Sequence, residues 1–367
     1  MLVYFIIMAK KIAIVGAGAF GFAIAKHLSD ILIDKKGAHR GSTYDASKEI
    51  YLYDIDKDLI NHITKERTHK YFFPEIKVNE FVKPTIDSSI ALKDSDLVIL
   101  SMPTQFIRKF LHDNKKLLKD NVSIVNCSKG METSTNKVIS EIVVDELKDK
   151  KFVYTVLSGG MVASEFISGF GVFGADLACE TEEIGLDLQM FFSSKKLKVF
   201  LTDDVKGIEV AGALKNVISI ASGFMDGLGF PFGSKTLIIS LAAREIKCIS
   251  AILNAKSHTY ESQTQAFGND YVMSTLGNSR NRHLGELIGK GMKPEDALAQ
   301  LKKEKKTAEG YYTTKVAYNI AKENGLSVPV VDMVYEVLYK KKDIRKCIEK
   351  IMLSNLEPTL NCSYYKI

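Results

Sequence analysis

No two cysteines of this chain stand close enough to make a metal or redox motif. Cys127, Cys179, Cys248, Cys347 and Cys362 are odd in number and far apart, and none falls into CxxC or a Cys/His spacing of the kind that binds zinc. That absence argues for a reducing, cytoplasmic setting and for no metal site. Charge of one sign is scarce as well: 50 basic residues nearly balance 44 acidic ones, and a net +6 is small for 367 residues. Composition therefore gives no footprint for nucleic acid or a membrane surface, while remaining compatible with anionic small molecules. The apolar opening MLVYFII is far shorter than the roughly 20 residues of a spanning helix and lacks the basic flank and cleavage site of a signal peptide. Residues 1–8 are expected to be an extra tail, with translation starting at Met1 or Met8. The chain also lacks internal repeats and low-complexity tracts.

What is present suffices for about two domains, since 46% of the residues are hydrophobic. Residues 11–15, KIAIV, form a β-rich run that ends in GAGAFG at Gly16–Gly21 and leads into the helical pattern FAIAKHLSDIL. Strand, glycine turn and helix in that order suit a dinucleotide: Gly16 for the turn, Gly18 for close approach to a pyrophosphate, Gly21 for helix packing. A polar segment, Asp34–Ser47, delays the second strand, EIYLYD, which ends at Asp54. Asp54 lies 38 positions beyond Gly16, against about 20 in the usual fingerprint, so the excess, Lys35–Ser47, reads as a surface insertion. Asp54 is placed to accept from the adenosine ribose hydroxyls and to repel a 2′-phosphate, which favours NAD over NADP. Asp56 is the alternative acid for this role.

Further β-rich runs at 96–102, 122–127, 152–157, 176–179 and 198–201, separated by helical or loop material, predict a mostly parallel, doubly wound α/β sheet. After Asp204 the pattern turns helical, at about 208–226, 233–252, 257–267, 283–290, 294–304, 309–323, 330–339 and 342–352. The expected division is a tail at 1–8, a dinucleotide domain at 9–203, an all-helical substrate domain at 204–356 and a tail at 357–367.

The helix near 208–226 carries one lysine, Lys215, among small, apolar or uncharged neighbours. A helix apolar on nearly every side is buried, and a buried ammonium is costly unless the site uses it. Gly212, Lys215, Asn216, Ser219, Gly223 and Asp226 share one small or polar stripe, expected to form the wall of a polar site. The alternative is a lysine that snorkels to water from a core helix.

Other groups converge on anion chemistry. SMPTQF puts Pro103 just past a strand, where a carboxyl-end loop would face a nicotinamide, or merely ends that strand. NCSKG puts Lys129 beyond the next strand, where it can meet an anionic substrate or its carbonyl. The segment Phe267–Gly285 reads as loop, with Arg280, Asn281 and Arg282 in a row suited to a phosphate, or simply exposed. Its only carboxylate, Asp270, could hold a lysine ammonium in place.

Taken together, GAGAFG, SMPTQF, NCSKGME, LSGG, TDDVKGIEVAGALKNVISIASGFMDGLGF, SRNRHLG, AEGYYTTK and GLSVPVVDMVYEVLY resemble the NAD(P)-dependent glycerol-3-phosphate dehydrogenases. The resemblance spans both domains. It implies a Rossmann domain joined to a helical domain of the sort shared with 6-phosphogluconate dehydrogenase. It also implies a cytoplasmic homodimer that interconverts dihydroxyacetone phosphate and sn-glycerol 3-phosphate, supplying phospholipid synthesis or linking glycerol metabolism to glycolysis. Carried over by motif, the general acid/base is Lys215, the second substrate-site lysine Lys129, the acid Asp270 and the phosphate ligands Ser279, Arg280 and Asn281. Gly159, Asn216 and Ser274 join the substrate site. Gly16, Gly18, Ala19, Phe20, Gly21, Asp54, Pro103, Lys129, Ala163, Arg280 and Glu309 fall to the cofactor, NAD with NADP possible.

Several positions depart from the family pattern. Phe20 replaces a common tryptophan, Met161 stands where a serine is expected near the substrate, Ser274 keeps a hydroxyl in place of threonine, and Ile55 replaces an arginine beside Asp54. The residues alone leave two other readings: a related two-domain dehydrogenase acting on another hydroxy acid, and a non-catalytic NAD-binding sensor.

Overall fold

The computed structural model describes residues 9–37 and 48–353, so the terminal tails and most of the expected insertion lie outside the described residues. The chain forms two compact units. The first takes residues up to Ser128 together with Ser140–Val205; the second takes Lys129–Ile139 and the chain from Lys206 onward. The short excursion Lys129–Ile139 is not visible in the sequence pattern, which shows one change of character near residue 204.

In the first unit the elements are β1 (Lys11–Val15), α1 (Ala19–Gly37), β2 (Glu49–Tyr53), α2 (Lys57–Glu66), β3 (Thr68–His69), β4 (Phe73–Lys77), β5 (Val82–Thr85), α3 (Ser88–Leu92), β6 (Leu97–Leu100), α4 (Ile107–Asn114), β7 (Val122–Asn126), α5 (Ile139–Leu147), β8 (Phe152–Gly159), α6 (Ala163–Ile167), β9 (Phe173–Cys179), α7 (Glu182–Phe192) and β10 (Leu197–Thr202). Eight strands make one sheet in the order β10-β9-β8-β7-β6-β1-β2-β5. All neighbours are parallel except β8 and β9, which run antiparallel. Strands such as LVIL of β6, buried at every position, read as apolar runs because helices cover both faces of a parallel sheet. The strand order reverses between β1 and β6, and ligands of open α/β sheets bind beyond the strand ends at such a point.

β5 and the two-stranded β3–β4 pair were not anticipated. Their short sequences carry Pro74, Pro84 and several charges that mask the β pattern. Helix α1 runs to Gly37 and takes up the first residues of the polar segment read as an insertion.

The second unit is helical: α8 (Val205–Gly227), α9 (Phe232–Ile252), α10 (Asp270–Leu276), α11 (Arg280–Gly289), α12 (Pro294–Lys303), α13 (Glu309–Glu323), α14 (Pro329–Lys340) and α15 (Ile344–Leu353). α8 is long and apolar enough to cross a membrane, yet the whole of its apolar window is buried inside the protein. It is a core helix, packed through Leu214, Val217, Ala221 and Phe224.

Two expectations fail here. Residues 257–267 form a 3₁₀ turn at Ser257–Tyr260 and enter a π-helical turn at Gln265–Asn269 instead of one helix. The stretch Phe267–Gly285, read as loop for its Gly, Asn and Ser content, is mostly α10 and α11.

Glycine sets the spacing of α8 and α11. A Cβ on Gly223 would lie 2.0 Å from the Arg282 carbonyl oxygen, and one on Gly285 would lie 2.1 Å from that of Ile220. Only hydrogen at these positions lets the two backbones touch. The contact fixes where the residues N-terminal to it on each helix are carried.

Candidate active site

The glycine loop of the first unit leaves β1 and enters α1. Gly16 has φ +102°, and a Cβ there would meet the Ser101 carbonyl oxygen at 2.5 Å. Gly21 packs against the Gly16 carbonyl so closely that a Cβ would overlap it, whereas a Cβ on Gly18 would meet nothing within 4 Å. Gly18 therefore borders open space at the start of a 19-residue helix with no acidic residue in its first turn. The first N–H groups of such a helix favour negative charge. The loop fits a dinucleotide pyrophosphate.

Asp54 has backbone partners besides the expected ribose. Its Oδ2 accepts from the Ala17 N–H at 2.7 Å and its Oδ1 from the Asp56 N–H at 3.0 Å. The carboxylate thus fixes the glycine loop with lone pairs that remain open to a ribose hydroxyl. Asp56 is committed as the N-cap of α2, accepting from the Leu59 N–H at 3.0 Å. Ile55, between them, is 82% exposed and brings no cation to balance a 2′-phosphate.

Pro103 is exposed at the head of a 3₁₀ turn. Phe20 stacks on Phe166, and together with Ala163 it packs on the apolar core beside the glycine loop. Met161 is buried in that same core. Gly159 lies so close to the Gly174 carbonyl that a Cβ would stand 2.4 Å from it.

The second unit holds the charged cluster. Lys215 is buried on α8; its Nζ donates to Asp270 Oδ1 at 2.7 Å and to Ser274 Oγ at 2.5 Å. Ser274 in turn donates to the same Oδ1 at 3.1 Å. Lys129, from the excursion segment, reaches Asp270 Oδ2 at 2.5 Å. Asp270 is fully buried at the start of α10 and divides its two oxygens between two lysines. The snorkelling alternative for Lys215 is thereby removed.

Burial lowers the Lys215 ammonium to about pKa 8, with Asp270 opposing and Lys129 assisting the shift. Burial works to raise Asp270, but Lys129 and Lys215 outweigh it and hold the carboxyl below its usual range. The outcome is a carboxyl favoured in its charged form beside an amine whose pKa lies within reach of neutral pH.

Asn216 and Asn281 are bound to each other. Asn281 Nδ2 donates to Asn216 Oδ1 at 2.9 Å, its own Oδ1 accepts from the Gly310 N–H at 2.9 Å, and Asn216 Nδ2 reaches the Gly212 carbonyl at 3.3 Å. Gly310 allows this, since a Cβ there would stand 2.6 Å from the Asn216 carbonyl oxygen. Ser279 is the N-cap of α11 and also receives the Ser219 hydroxyl at 3.1 Å. The expected phosphate ligands Ser279 and Asn281 therefore carry structural bonds, which leave the Ser279 O–H and a second Nδ2–H of Asn281 available as donors.

Arg280, in contrast, is exposed at the first position of α11. Glu309 is its electrostatic partner. Burial raises the Glu309 carboxyl to about pKa 7 while Arg280 opposes the rise, and Glu309 Oε2 is buried without a hydrogen-bond partner.

The stripe read along α8 divides accordingly. Lys215 and Asn216 belong to the polar cluster; Ser219 binds the Ser274 carbonyl, Gly223 makes the helix contact, and Asp226 pairs with Lys235 at 2.8 Å and Arg282 at 2.6 Å. Arg282 is thus a structural cation, unlike its neighbour Arg280.

Residues 11–184 match the model of the NAD-dependent glycerol-3-phosphate dehydrogenase N-terminus, and residues 204–349 match that of its C-terminus. The chain is 31% identical to the glycerol-3-phosphate dehydrogenase [NAD(P)+] of Citrifermentans bemidjiense, over 95% of this chain and 99% of that one. It is 30% identical to that of Fusobacterium nucleatum, over 94% and 96%. The solved glycerol-3-phosphate dehydrogenase of Coxiella burnetii shares the fold with a TM-score of 0.83 at 22% identity, covering 94% of this chain and 99% of that one.

Proposed function

The chain belongs to the NAD-dependent glycerol-3-phosphate dehydrogenase family, and on that premise we propose that it interconverts dihydroxyacetone phosphate and sn-glycerol 3-phosphate, with Lys215 as the general acid and base. The observation that carries the reading is the Lys129–Asp270–Lys215 arrangement with Ser274. NAD bound at the glycine loop supplies or takes the hydride exchanged with C2 of the substrate; NADP is the less favoured cofactor because of Asp54 and Ile55.

An ammonium has three N–H groups. Two of those on Lys215 meet Asp270 and Ser274; the third is left to donate to the substrate oxygen at C2, and it protonates the alkoxide formed in the reduction. Asp270 keeps Lys215 oriented and keeps the pair near neutrality in net charge, while Lys129 supplies the second positive charge that polarises the carbonyl. The substrate phosphate is held by the Arg280 guanidinium and the N–H groups at the start of α11. Asn281 and Ser279 act through the positions of these groups. Remote phosphate binding orients the ketone for attack.

The partners are small phosphorylated molecules, and we assign the protein to the cytoplasm as a homodimer, supplying glycerol 3-phosphate for phospholipid synthesis or joining glycerol metabolism to glycolysis. A dehydrogenase acting on an unphosphorylated hydroxy acid gives no use to Arg280 at a helix N-terminus. A sensor without turnover gives none to a buried amine held near neutrality.

The test is oxidation of NADH by dihydroxyacetone phosphate, run beside NADPH and unphosphorylated dihydroxyacetone. Phosphate-dependent turnover that prefers NADH is expected. NADH binding without turnover on any of these substrates would return the sensor reading.

A further inference from the structure

Ala17, between Gly16 and Gly18, has both of its peptide groups held by side chains. Its N–H donates to Asp54 and its carbonyl lies 3.0 Å from Nε2 of His69. His69 comes from β3 and is fully buried, ringed by Phe22 at 5.3 Å, Phe72 at 4.9 Å and Phe73 at 5.9 Å between ring centroids. Its other nitrogen, Nδ1, faces the N–H groups of Tyr71 at 3.2 Å and Phe72 at 3.3 Å.

Two donors aimed at Nδ1 leave it only the acceptor role, so the proton resides on Nε2 and points at the Ala17 carbonyl. Burial lowers the His69 pKa, in keeping with a neutral ring.

We propose that His69 is a positioning residue for the dinucleotide: its Nε2–H fixes the Ala17 carbonyl and so sets the glycine loop in the shape that receives the pyrophosphate. The inference rests on the reading of that loop as the NAD site. Without the bond, the carbonyl is free to rotate and the loop must be ordered as the dinucleotide binds, which weakens affinity and leaves the chemical step alone.

The aromatic surroundings accept an unbranched chain. His69→Gln restores a donor at the reach of Nε2, and His69→Met has similar length with none; both lose the Nδ1 acceptor, so the comparison cancels the effect on the turn at Tyr71. Dissociation constants for NADH, from titration of its fluorescence, are expected to be about five- to tenfold weaker for His69→Met than for His69→Gln, the size of one hydrogen bond. Turnover at saturating NADH should agree within about twofold.

Equal affinities in the two variants, with wild-type binding intact, overturn the role of His69. A wild-type protein that does not bind NADH overturns the reading of the loop itself. Should His69→Met fail to fold, ¹⁵N spectra of the wild-type histidine rings decide the matter, with the His69 signals assigned by their loss in His69→Gln. A neutral ring protonated at Nε2 is expected, and a ring protonated at Nδ1 refutes the proposal.

Discussion

Asn281 on α11 donates to Asn216 on α8 at 2.9 Å, one residue beyond the buried Lys215. This bond, with that from the Gly310 N–H to Asn281, ties the helix that carries the amine to the helix that starts at Arg280. Two residues expected at the substrate site thus also set the register of α8 and α11.

Asn281→Ala therefore strands the buried Asn216 side-chain oxygen, Oδ1, and the Gly310 N–H. Stability should fall by about 1–3 kcal/mol, read from denaturant unfolding. The Michaelis constant for dihydroxyacetone phosphate should rise more than turnover falls, because Arg280 is displaced while Lys215 keeps Asp270. A variant with unchanged stability would show that the bond is absent in solution.

Lys215, brought to about pKa 8 by burial against the pull of Asp270, predicts mirrored pH profiles. Reduction needs the ammonium as acid, so kcat/KM for dihydroxyacetone phosphate should fall as pH rises through about 8; oxidation needs the free amine and should rise over the same range. Lys129 pushes this pKa down and Asp270 pushes it up. The limb should therefore move to higher pH in Lys129→Met and to lower pH in Asp270→Asn. Shifts of the same sign in both variants would contradict the arrangement. Lys215→Met should lose about 10²–10⁴-fold in turnover while still binding NADH.

How much of this was legible in the sequence depends on the range of the interactions. Lys215 announced itself because it is the one lysine of the helical stretch 208–226, whose other residues are mostly small, apolar or uncharged, a local property. Asp270 was readable as a lysine's partner only because its segment has no other carboxylate. The sheet and its glycine loop followed from β-rich runs and from Gly16, Gly18 and Gly21. By contrast, nothing local marks Lys129–Ile139 as part of the helical unit. α10 hides in FGNDYVMSTL because Gly268 and Asn269 open it with residues typical of turns. The bonds of His69 to Ala17, of Asp54 to Ala17, of Ser279 to Ser219 and of Asn281 to Asn216 arise from partners far away in the chain. That Arg282 pairs with Asp226 on α8 is likewise a contact between distant residues.

Gly223→Ala tests the helix contact. The new Cβ would stand 2.0 Å from a backbone oxygen of α11, which no rotamer change relieves, so the helices must separate. A stability loss of about 1–3 kcal/mol or more is expected from such overpacking, accompanied by a raised Michaelis constant for dihydroxyacetone phosphate as Arg280 moves with α11. Unchanged values of both would mean that α8 and α11 lie farther apart than the structure has them.

Glu245 has no bond to the Lys129–Asp270–Lys215 cluster and gives a stability prediction of defined sign. It is buried on α9, and its two oxygens accept from the Val330 and Val331 N–H groups at the start of α14, at 2.8 and 2.9 Å. Burial raises its pKa to about 8, with those two bonds opposing the rise. A carboxyl whose folded pKa exceeds its unfolded value binds its proton more tightly when folded. Its stabilising contribution is complete below the unfolded pKa, near 4.5, and is lost as pH rises through about 8. Glu245→Gln cannot ionise, and it can accept from only one of the two N–H groups. It should therefore be less stable than the wild type by about 1 kcal/mol in acid, where both side chains are neutral, and the gap should close or reverse as pH passes 8. Melting temperatures of the two proteins measured from pH 5 to 9 should converge; parallel curves would mean that Glu245 enters the folded state already ionised, held by the α14 N-terminus against its burial.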